Sequence, residues 1–99
     1  MSQLEIRYKI AVNTLKLGGF DNQEAYYKEI VSLAHEGYHP AQARLAYAYY
    51  RGIDVEENIP YAFKLAQASA ARNNRSSKYL LGLLFRDHAL EIDKTLTQQ

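Results

Sequence analysis

The chain has 99 residues, a net charge of +1 and no cysteine. That length accommodates one domain, and its near-neutral balance gives no global electrostatic case for nucleic acid or for a membrane surface. Without cysteine there is no disulfide, thiol nucleophile or thiolate metal site, a composition that suits a reducing compartment.

The first apolar stripe, Leu4, Tyr8, Ala11 and Leu15, has helical spacing. Glu5, Arg7 and Lys9 interrupt it, so the segment does not read as a secretory signal, and no run approaches the roughly 20 apolar residues of a membrane span. A cytoplasmic location is the expectation. Gly18 and Gly19 end this helix. A second helix carries Tyr26, Ile30, Leu33 and Ala34 on one face, with Asp21 or Asn22 as its N-cap and Gly37 at its end. Pro40 opens a third helix with Leu45, Ala46 and Tyr49 on its inner side, closed by Gly52. Asn58 followed by Pro60 starts a fourth, which ends at Asn73 and Asn74, residues that tolerate a left-handed turn. A fifth begins near Ser76, carries Tyr79, Leu80, Leu81, Leu84 and Phe85, and runs on toward Leu96. No segment alternates with the period of a strand. The pattern predicts an all-α fold of about five helices.

The third and fifth helices repeat each other. With an offset of 36 residues, Leu45 falls on Leu81, Ala46 on Gly82, Tyr49 on Phe85, Gly37 on Asn73 and Asn22 on Asn58. Caps, small residues and turn residues recur in register, which argues for an array of helical hairpins in which Ala46 and Gly82 let backbones approach closely. Residues 41–62 read A-Q-x-x-L-A-x-x-Y-x-x-G-x-D-V-x-x-N-x-x-Y-A, with Ser69, Ala70 and Ala71 beyond. This resembles a Sel-1-like repeat, a relative of the tetratricopeptide hairpin, through Ala41, Leu45, Tyr49, Gly52, Val55, Ala62 and Ala70. Ala46, Asp54, Asn58, Tyr61, Leu65 and Asn73 depart from the family's usual residues. The resemblance covers one full repeat and two flanking halves. It implies a short α-solenoid of antiparallel hairpins, with a capping helix over 1–19, a half repeat over 20–39, a full repeat over 40–75, and a half repeat with C-terminal cap over 76–99. It also implies adaptor or scaffold roles, often bacterial.

Three constellations bear on chemistry. His35-Glu36-Gly37-Tyr38-His39 spells H-E-x-x-H, in which two histidines one turn apart bind zinc and the glutamate acts as base. That spacing requires a continuous helix, and Gly37 with Pro40 breaks it. A polar helix end is therefore the expected role, zinc hydrolysis the minor alternative, and neither a metal site nor a catalytic residue is assigned. Arg72, Arg75 and Lys78 gather at the turn before the fifth helix, either as a solvated rim or as a patch for a phosphate or an acidic partner. Asp54, Glu56 and Glu57 lack the spacing of a calcium loop and read as a solvated loop.

Nine tyrosines against three phenylalanines and no tryptophan are the remaining signal. Tyr47, Tyr50 and Arg51 project away from the third helix's core face, toward what would be the concave side of a solenoid. Tyr79, Leu83 and Arg86 of the fifth helix fall beside them. Tyrosine with arginine is the composition of interface hot spots. The alternative is that these tyrosines pack between hairpins, as expected for Tyr26, Tyr27 and Tyr61. The reading is a non-enzymatic protein-binding module, needing no cofactor, that docks a peptide segment or small domain of another protein. An inhibitor or immunity-type protein masking one enzyme is the alternative. A homodimer through the exposed array ends fits either role.

Overall fold

The computed structural model describes residues 2–97, and the expected caps at the two extremes extend to Met1, Gln98 and Gln99, which lie outside the described residues. Five helices follow in order: α1 (Gln3–Lys16), α2 (Phe20–His35), α3 (His39–Arg51), α4 (Ile59–Ala70) and α5 (Arg75–Thr97). No strand occurs among the described residues.

Local chemistry sets most boundaries. The Ser2 hydroxyl caps α1 by accepting from the Glu5 N–H at 3.1 Å, and Glu5 itself lies in the first turn, at the positive end of the helix. Asn58 caps α4 in the same way, accepting from the Tyr61 N–H at 3.1 Å, with Pro60 in the first turn. The expected cap of α2 is corrected. Gly19, with φ of 88°, turns the chain so sharply that the helix begins at Phe20, one or two residues before Asp21 and Asn22, and no side chain caps it. Asn22 instead donates its amide to the Gly18 carbonyl at 2.7 Å. Asn73 and Asn74, expected to share one turn, divide the work. Asn73 takes the left-handed conformation (φ 65°), while Asn74 caps α5 by accepting from the Ser77 N–H at 2.9 Å.

The 36-residue offset reappears in the backbone. At the end of α2 the Gly37 N–H donates to the Ala34 carbonyl and the Tyr38 N–H to that of Leu33. At the end of α4 the Asn73 N–H donates to Ala70 and the Asn74 N–H to Ser69. These paired bonds make the left-handed helix stop that glycine, and less often asparagine, accommodates. The Gln42 N–H to Tyr38 carbonyl bond recurs as Lys78 to Asn74, and Ala41 and Ser77, at equivalent places, are both fully buried.

Each helix packs on its neighbours in the chain, and α3 also touches α5. Central α4 supplies Ile59, Ala62, Phe63, Leu65 and Ala66 to a core completed by Ile30, Leu33, Leu45, Ala46, Leu80, Leu84 and Ile92. Of the α1 stripe, only Ala11 is buried; Leu4 and Tyr8 pack against the core at its margin. Two serines lie wholly inside. The Ser69 hydroxyl donates to the His39 carbonyl at 2.7 Å and so ties α4 to the start of α3, whereas the Ser77 hydroxyl has no partner among the described residues.

Gly82 departs from expectation. Its counterpart Ala46 is sealed, but Gly82 is exposed, with nothing within 4 Å of where a Cβ would stand. The reason is position in the array. The face that α4 covers on α3 has no described helix to cover it on α5, so Phe85 is left half-exposed, edge-on to Phe63 at 5.5 Å. Further along, α5 bends at His88, whose φ and ψ of −135° and 34° are not helical. No glycine or proline causes the bend. His88 there bonds Glu91 at 3.0 Å and meets the Tyr50 ring edge-on at 6.1 Å.

Candidate functional site: a tyrosine-lined groove

A groove of about 860 Å³ is bounded by α1, α2, α3 and the first half of α5. It lies toward the upper end of the roughly 300–1,000 Å³ range of ligand-binding clefts. Helix geometry explains its walls. Pro40, Arg44, Tyr47 and Ala48 recur on α3 at spacings of three and four and therefore share one face, as do Ser76, Tyr79, Leu80 and Leu83 on α5. Tyr26, Tyr27 and Ile30 come from α2, Tyr8 and Leu15 from α1, and Ile53 and Asp54 from the loop after α3.

Arg44 is where three helices meet. Its Nε donates to the Tyr8 hydroxyl at 2.6 Å and its Nη1 to the Tyr26 hydroxyl at 3.1 Å. Its guanidinium carbon also lies 5.5 and 5.9 Å from the centroids of those same rings. Desolvation beside the rings works against the charge, but the two phenol oxygens outweigh it and hold the arginine above its ordinary range. Tyr8 in turn meets Tyr38 edge-on at 5.4 Å. Tyr27, also in the lining, has its hydroxyl pushed up to about 12 by burial and by its hydrogen bond with Tyr49. Among the described residues the one acid lining the groove is Asp54, which adopts a left-handed φ of 63°, and both its carboxylate oxygens accept from the Gln23 amide at 2.9 and 3.0 Å.

The six candidate partner-binding residues divide into two groups. Tyr47, Tyr79 and Leu83 line the groove; Tyr79 is 71% exposed and Leu83 half-buried. Tyr50, Arg51 and Arg86 are not part of its lining. Arg51 donates to the Tyr47 hydroxyl at 3.2 Å and lies over that ring. Tyr50 donates to Asp87 at 3.2 Å, across the seam between α3 and α5. Arg86 pairs with the adjacent Asp87 at 2.8 Å, which raises the arginine and, with the Arg86 hydrogen bond as its main cause, lowers the Asp87 carboxyl. Of the basic patch, Arg75 lines the groove, Lys78 donates to the Asn73 side chain, and Arg72 stands exposed at the α4–α5 turn.

Tyr61 packs as expected, edge-on to Tyr49 at 4.8 Å. Tyr26 and Tyr27, also expected to pack, do so while presenting a side to the groove. Arg44 escaped sequence reasoning altogether. Its one signal is that it precedes Tyr47 by three residues and Arg51 by seven, and so shares their face.

The H-E-x-x-H segment lies elsewhere. The helix ends at His35, Gly37 turns with φ of 89°, and the next helix begins at His39. Glu36 pairs with Arg7 at 2.8 Å, and His39 Nδ1 lies 3.2 Å from the Asn74 amide. Among the described residues no three His, Asp or Glu side chains are grouped to hold a metal ion, and no helix is long and apolar enough to cross a membrane.

Compared with protein-family models, with curated proteins and with solved structures, the chain matches none.

Proposed function

We propose that the chain is a protein-interaction module that docks a segment of another protein in the groove between α1, α2, α3 and α5. The observation that carries this reading is the lining itself: five tyrosines, Tyr8, Tyr26, Tyr27, Tyr47 and Tyr79, with Arg44 and Arg75 among them. Tyrosine buries a large ring at low entropic cost and keeps a polar tip, and with arginine it dominates interface hot spots. The resemblance of residues 41–62 to a Sel-1-like repeat supports the same reading, as does the offset of 36 residues in the helix stops.

The test is affinity capture with the immobilised chain beside its Tyr47→Ala/Tyr79→Ala double variant. Both side chains are exposed, so the variant should melt within a few degrees of the parent. A partner retained by the parent and lost by the variant supports the proposal. Equal retention by both overturns it.

A further inference from the structure

The charges in the groove are unbalanced. Among the described residues its cations are Arg44 and Arg75, and its one acid, Asp54, already accepts from the Gln23 amide. Two other arginines of the chain hold carboxylates: Arg7 pairs with Glu29 and Glu36, and Arg86 with Asp87. Arg44 has only two neutral phenol oxygens, and its Nη2 has no partner among the described residues. Each phenol that accepts from Arg44 keeps its own O–H to donate. The groove around Arg44 is thus rich in donors and positively charged, its guanidinium fixed in place by rings from two helices, while Leu15, Ile53 and Leu83 add apolar lining.

Resting on the docking role proposed above, we infer that the occupant is a protein segment carrying an Asp or Glu side chain between apolar neighbours, with its carboxylate seated on Arg44. The planar guanidinium offers a fork that matches a carboxylate, and Tyr8 and Tyr26 hold that fork before the ligand arrives, which lowers the ordering cost of binding. The neighbouring apolar side chains of the segment then meet Tyr79, Leu83 and Ile53, all of which line the groove with surface to offer.

The probe is a display library of random short peptides, panned against the full chain. Enriched sequences are expected to hold an acid flanked by aromatic or aliphatic residues. A selected peptide, resynthesised with its acid replaced by the matching amide, should lose about tenfold in affinity for the full chain. The same replacement should cost less than about twofold on Arg44→Gln, the signature of direct coupling. A measurement that needs no variant runs alongside: affinity of the acidic peptide should fall with added salt, and that of its amide version should not. Enrichment without acid preference, an equal loss on both proteins, or identical salt dependence of the two peptides overturns the inference. Peptides that ignore the acid but weaken on Tyr79→Ala leave groove docking standing. A library that yields no binder, or binders indifferent to Tyr47→Ala and Tyr79→Ala, removes docking and acid recognition together.

Discussion

Ser69 and Ser77 are both wholly buried, but the hydroxyl of Ser69 reaches the His39 carbonyl at 2.7 Å and that of Ser77 has no partner among the described residues. Replacing each by alanine should therefore move stability in opposite directions. Ser69→Ala removes a buried hydrogen bond with a net worth of about 0.5–1.5 kcal/mol. Ser77→Ala removes a desolvated, unpaired hydroxyl, whose burial costs about 1–3 kcal/mol, and adds roughly 0.5 kcal/mol of helix propensity. A small void where the oxygen stood takes back part of that gain, so a net stabilisation of about 1 kcal/mol is expected. Ala41, at the equivalent place 36 residues earlier, is fully buried and shows that a methyl group suits such a site. The two variants should then lie about 2 kcal/mol apart, with melting temperatures shifted by about 4–8 °C each, one down and one up. Urea unfolding at constant m-value gives the free energies directly. If both variants are destabilised equally, the Ser77 hydroxyl has a partner and the reasoning fails.

Two further predictions come from backbone and titration. Gly37 and Asn73 stop α2 and α4 with the same hydrogen bonds at φ of 89° and 65°, so Gly37→Ala should cost about 1–2 kcal/mol while Asn73→Gly is neutral or slightly stabilising, both read by thermal melts. Tyr27 has its folded-state value raised to about 12, above the ordinary value of 10, so its contribution to stability is complete below pH 10 and is lost as pH rises from there through 12. Tyr27→Phe should flatten the decline of urea midpoints across that alkaline window; an unchanged slope would show that the hydroxyl is not held neutral by burial and Tyr49.

Helix ends were legible because their causes are local. Asn58, Gly37 and Asn73 act through bonds to residues within five positions, Pro40 and Pro60 through their fixed φ in a first turn, and each performs the expected task. What spans the fold was less legible. Arg44 reads as an ordinary exposed cation, because the rings that hold it lie 36 and 18 residues earlier and arrive only when α1 and α2 pack. Tyr8 reads as a core residue from its spacing with Leu4 and Ala11, and that spacing is silent about its hydroxyl. Gly82 misleads for the opposite reason: alignment with Ala46 implies a covering helix, and α5 has none among the described residues. The bend at His88 follows from no local breaker, and its contacts with Tyr50 and Glu91 are visible only in three dimensions.

Under the docking role proposed above, the clasp on Arg44 makes binding a collective property of α1, α2 and α3. Residues 40–75 hold the whole repeat unit as a motif would define it, yet a peptide of that length would carry the arginine without either ring that orients it. Whatever loosens the first helix, far from α5 in sequence, therefore also releases the guanidinium. Were the groove to bind as proposed, transplanting residues 40–75 alone would carry the arginine without its preference, since Tyr8 and Tyr26 lie outside that stretch.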